Sequence, residues 1–170
     1  MVRHADGGGA TRRAAVVLIA AAVLGLAGIS RASAGTIEVT KLTAAEHAFA
    51  KSYEALVPTL NRASAALVHA VGNASKDTNT QVATVFGAVA RQWATATKPL
   101  LALKAPPREA TAFASMSRLT RSVEADLRAL SQAGSTDNVK QATSAGTHLT
   151  RDFNALGAAI RQMKTKLGLP

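Results

Sequence analysis

Histidines His4, His47, His69 and His148 and methionines Met116 and Met163 are the residues of this chain best suited to hold a metal or a haem. A di-metal helical bundle needs carboxylates and a Glu-x-x-His pair on inward-facing positions. When the apolar residues are set on a helical period, every inward position reads as apolar or small except Tyr53 and Thr120. Glu46 is the one carboxylate in phase, and it is better used as a helix cap. His47, His69 and His148 fall on outward phases and read as surface side chains. Without an inward histidine, Met116 and Met163 read as core filler.

Nucleophilic catalysis fares no better. A serine nucleophile needs a base and an orienting acid, usually around a sharp turn, and the serines here fall in the leader, helices and loops with no such elbow. Cysteine is absent, which removes disulfides, thiolate ligands, a cysteine nucleophile and a lipidated cysteine together. Gly7-Gly8-Gly9 lacks the Lys-Ser/Thr of a phosphate loop, and Asn73-Ala74-Ser75 is a glycosylation triplet short enough to arise by chance. These residues predict a non-enzyme with no cofactor and no metal.

The segments that would carry any function start with a leader. Arg12-Arg13 precedes an unbroken apolar run, Ala14 to Ile29, followed by Ser30-Arg31-Ala32-Ser33-Ala34-Gly35. That order of charged, apolar and small residues is a signal peptide's, with cleavage expected after Ala34. As a helix the run would reach roughly 24 Å, short of a hydrocarbon core of about 30 Å. The other reading retains residues 14–29 as a membrane anchor, with the arginines on the cytoplasmic side. Both readings export the rest of the chain, to the cell envelope or beyond it. Residues 1–34 are thus the signal peptide or anchor, 35–42 a connector and 43–170 the domain.

Within 43–170, apolar residues recur every three or four positions in four stretches. The first carries Phe49, Tyr53, Leu56, Leu60, Ala63, Leu67 and Ala70, opened by a Thr43–Glu46 capping box and stopped near Gly72-Asn73 by a left-handed glycine. The second runs from Val82 through Phe86, Val89, Trp93, Ala96 and Leu100 to Leu103. Pro106-Pro107 should end it and open the third. The third holds Phe113, Met116, Thr120, Val123, Leu127 and Leu130 and should stop at Gly134. Ser135, Thr136 or Asp137 should cap the fourth, whose stripe runs from Val139 through Ala142, Gly146, Leu149, Phe153, Leu156, Ile160 and Met163 to Leu167. Four helices with short connections predict an all-α, antiparallel up-down four-helix bundle. Pro58 and Pro99 should kink or break the first two helices, and Pro58 should fall level with Trp93 beside an apolar pocket.

The chain is 48% hydrophobic but only 4% aromatic, and its formal charge is +10. The leader holds four of the 20 basic and one of the 10 acidic residues, so the remainder is still net +7. Such a body prefers anionic partners. Its cations are spread over the helices without the concentrated stripe or stacking platform of a nucleic-acid binder, so no nucleic acid is expected. An anionic lipid, an anionic cell-wall polymer or an envelope protein suits an exported basic domain, with Arg161, Lys164 and Lys166 as the foremost contacts. Membrane contact through the N-terminal segment is added if that segment is uncleaved. The alternative is a carrier of a small apolar ligand or lipid, held between helices near Pro58 and Trp93.

The leader at Arg12 to Ala34, the Ala/Thr/Arg-rich body and the Leu-x-Leu-x-x-Pro-Pro junction at Leu101 to Pro107 resemble small exported helical-bundle proteins of unassigned function from high-GC Gram-positive bacteria. That resemblance implies export and a helical domain, and it brings no functional residue with it.

Overall fold

In the computed structural model, residues 42–169 are described; the predicted leader and most of the connector lie outside them. Four helices follow in order: α1 (Ala44–Asn73), α2 (Asn79–Leu101), α3 (Ala110–Ser135) and α4 (Val139–Lys166). No strand occurs among the described residues. None of these helices is long and apolar enough to cross a membrane.

The helix starts follow local chemistry. The Thr43 hydroxyl accepts the Glu46 N–H at 3.2 Å, and the Glu46 carboxylate accepts the Thr43 N–H at 2.6 Å, closing the expected capping box. A second box opens α2, with Thr78 and Gln81 in the same roles. Each satisfies two backbone donors that a helix start leaves unpaired. For α4 the cap is Asn138, whose side chain accepts from the Gln141 N–H at 3.0 Å, and not Ser135, Thr136 or Asp137.

Helix α1 ends at Asn73, where Gly72-Asn73 predicts, but without a left-handed glycine: the chain passes on into a single 3-10 turn at Ala74–Lys76. Other expected stops and breaks fall elsewhere. Gly134 stays inside α3, and the reversal comes at Asp137, which takes a positive φ of 53°. Its neighbour Asn138 then donates its N–H back to the Ala133 carbonyl at 2.9 Å. Aspartate tolerates this left-handed geometry better than most side chains, so a glycine is not required there. At the end of α4 a glycine does take that place: Gly168 has φ 63°, and the Leu169 N–H returns to the Lys164 carbonyl at 2.9 Å.

The prolines do not break their helices either. Pro58 lies on the exposed side of the continuous α1, where water can reach the Glu54 carbonyl that the missing proline N–H leaves free. Pro99 occupies the last turn of α2, which ends at Leu101. Pro106-Pro107 neither ends α2 nor opens α3; it sits within the connection Ala102–Glu109. Each proline holds the residue before it extended, so Ala105 and Pro106 cannot continue a helix from either direction.

The predicted stripes converge on one core. Leu67, Val71, Phe86, Met116, Val123, Leu127, Leu130 and Met163 are almost wholly buried, each such side chain contributing roughly 1.5–3 kcal/mol. Leu56, Leu60, Leu103 and Ile160 lie at its margin, and Val139 is exposed. The helices pack in chain order, α1 on α2, α2 on α3 and α3 on α4. Phe49 meets Phe113 edge to face at 5.4 Å, which brings the start of α1 against the start of α3.

The α2–α3 seam includes a close backbone approach. A Cβ on Gly134 would lie 2.7 Å from the Asn79 carbonyl oxygen and 2.8 Å from the Ala83 nitrogen, so only glycine allows the two backbones this close. One step along, the Ser131 hydroxyl donates to the Ala83 carbonyl at 2.7 Å, and a Cβ on Gly87 would lie 2.9 Å from that hydroxyl oxygen. Farther on, the Trp93 indole N–H donates to the Thr120 carbonyl at 3.0 Å. Residue numbers rise on one helix as they fall on the other, so α2 and α3 run in opposite directions.

Candidate functional site

Arg161, Lys164 and Lys166 occupy the last two turns of α4, with Arg161 and Lys166 exposed and Lys164 half-buried. Positive charge there is favoured by the carbonyl end of the helix. None of the three has a carboxylate partner among the described residues, whose ion pairs are Arg108–Glu46, Arg128–Glu124 and Arg151–Asp152.

Pro58 and Trp93 are placed differently from one another. Pro58 is exposed on α1. Trp93 is 3% exposed, with its N–H satisfied by Thr120 and its ring edge to face with Phe153 at 6.1 Å. A buried indole with its one donor paired is a packing element. The apolar residues flanking Pro58, Leu56, Val57 and Leu60, are only partly buried.

The α3–α4 seam holds what the periodicity missed. Glu46 is not the sole inward carboxylate: Asp152 is buried on α4, Glu109 is buried before α3, and Asp126 is half-buried on α3. One oxygen of Asp126 and one of Glu109 are enclosed without a hydrogen-bond partner in the structure. Burial first and the nearby Asp152 carboxylate second push the Asp126 carboxyl up to about 6, against the opposing pull of His148 and Arg151. Asp152 is held by the Arg151 Nε at 2.7 Å. Asp126 precedes Leu127, and Asp152 precedes Phe153, so each lies one position off the apolar stripe. They are enclosed where α3 packs on α4, and the residues beside Asp126 there, Ala129 and Ala145, are small. A second, parallel row of small residues beside each stripe was the available signal.

Beside Asp126 an open groove of about 450 Å³ is lined by Asn138, Lys140, Gln141, Ser144 and His148. His148 is exposed, as its phase predicted, yet it faces this groove. His47 and His69 are exposed elsewhere on α1, and Asn73 donates to the His69 carbonyl at 2.9 Å. The groove sets Ser144 and His148 beside one carboxyl, Asp126, whose pKa is raised to about 6. No group of three or more His, Cys, Asp or Glu among the described residues is arranged to hold a metal ion.

At the opposite end of α3, Glu46 is almost wholly buried. The Thr43 backbone N–H above all, with the Thr43 hydroxyl and Arg108, holds its carboxyl below the usual range despite burial. Arg108 reaches it at 3.4 Å while remaining 58% exposed. No protein-family model, curated protein or solved structure matches this chain.

Proposed function

We propose that the chain is an exported, non-enzymatic protein of the cell envelope, a binding or interaction module whose basic outer surface meets an anionic surface or protein partner. The observation that carries this reading is the set of uncompensated cations. Three arginines are paired, and the remaining described lysines and arginines, with Arg161, Lys164 and Lys166 foremost, point outward without a carboxylate partner among the described residues. An anionic lipid or wall polymer fits them by charge, and the charged-apolar-small order of residues 12–34 supports export. The opposed directions of α2 and α3 and the three-residue connection from α3 to α4 support an antiparallel up-down bundle behind the signal or anchor segment.

A carrier of small apolar ligands would need Trp93 to line an opening. Its burial and paired N–H favour the surface-binding reading. Adsorption of the full chain to vesicles rich in phosphatidylglycerol tests this at low salt. Replacing Arg161, Lys164 and Lys166 by alanine should weaken it about fivefold for each charge that reaches the surface. Undiminished binding would remove these residues from the role.

A further inference from the structure

We infer that the domain is electrostatically polarised along its axis, and that the end holding the starts of α1 and α3 and the close of α2 and α4 docks end-on against the anionic headgroups of a lipid bilayer. This deepens the proposed function and rests on it.

The placement comes from contacts. Arg108 touches Glu46 and Phe113 touches Phe49, so α1 and α3 begin together. The end of α2 is joined to that place by Ala102–Glu109. Helix α4 has 28 residues to the 26 of α3 and leaves it through a three-residue connection. Helix α4 packs along α3, and so short a connection makes it turn back, which brings the last turns of α4 to the same end.

Among the described residues, six cations gather there: Lys98, Lys104, Arg108, Arg161, Lys164 and Lys166. The described acids of the same end, Glu46 and Glu109, are 1% and 3% exposed, so among the described residues the cations carry the charge this tip shows to solvent. The other end is balanced, with Lys76 and Lys140 set against Asp77 and Asp137. A tip whose exposed described charges are of one sign matches a plane of headgroup phosphates. Leu42, the first described residue, stands at this tip.

The chain lacks cysteine, so a single introduced cysteine can carry a unique fluorophore. Ala102→Cys marks the basic tip and Ser75→Cys the balanced one; both sites are exposed. The exported chain, in whichever form it leaves the cell, is combined with phosphatidylglycerol or phosphatidylcholine vesicles bearing a headgroup quencher. Docking predicts quenching at position 102 well above that at 75, stronger on phosphatidylglycerol and reversed by salt. Lys98→Gln with Lys104→Gln and Lys166→Gln should lower adsorption about a hundredfold, whereas Lys76→Gln with Lys140→Gln should leave it unchanged. Equal quenching at both positions, or equal loss from both sets, overturns the polarity while leaving surface adsorption intact. Binding to anionic wall polymer without binding to vesicles overturns the lipid assignment alone. Binding to neither overturns this inference and the proposed anionic-surface reading together.

Discussion

Helix α3 presents two seams, and they are built on opposite principles. Toward α2 it places Gly134 against the backbone of Asn79 and Ala83, and the Ser131 hydroxyl and the Trp93 indole N–H are paired across it, although the buried Ser117 hydroxyl, one turn before Thr120, has no partner. Toward α4 it places Asp126 beside Asp152, with an unpartnered oxygen and a groove open next to it. Close approach is favourable where the backbones themselves meet, because dispersion falls off steeply with small gaps. Enclosing carboxyls works against this, since each loses hydration that only a full set of partners replaces. The same helix thus carries one seam that locks register and one that retains polar strain.

Filling the tight seam should have the largest effect. Gly134→Ala would drive a methyl into fixed backbone and should cost about 1–3 kcal/mol in chemical denaturation. A midpoint matching the parent's would mean that α2 and α3 can slide apart, and the contrast between the seams would collapse. The second substitution is milder because its obstacle is a side-chain hydroxyl. Gly87→Ala should cost about 1 kcal/mol alone and less when Ser131→Ala is already present, with a coupling of at least about 0.5 kcal/mol. Strict additivity would show that Ser131 is not what limits approach there.

The smallest effect should have the opposite sign. An acid whose folded pKa is raised binds its proton more tightly folded than unfolded. Asp126 therefore favours the native state while protonated, and stability should decline as pH rises from about 4, the unfolded value, to about 6, then hold at the lower level. Asp126→Asn should remove that decline and raise the melting temperature at pH 7 by roughly 2–4 °C, a modest value because the group is partly solvated. A variant less stable than the parent at pH 7 would mean that the ionised carboxylate makes a favourable contact across the seam. The groove would then need to be reconsidered as an anion-lined site.

Much of this architecture was legible because it depends on neighbours a few residues away. Phe86, Trp93, Val123, Leu127, Leu149 and Phe153 were placed inward by spacing alone, and the Thr43–Glu46 box by its motif. The Thr78–Gln81 box carried the same signature before an apolar run and could have been read. Glycine and proline are not punctuation by themselves: α1 does end beside Gly72, but Gly72 and Gly134 are both helical, and Pro58 is tolerated on a wet face.

Periodicity, caps and charge balance belong to the sequence by itself, since each follows from bonds and side chains within one or two helical turns. The use of Gly134 as a contact point and the enclosure of Asp126 and Asp152 belong to the tertiary structure. A residue's own sequence neighbours do not reveal how close another helix will come, and that distance decides whether a missing Cβ makes a seam and whether a carboxyl loses its water.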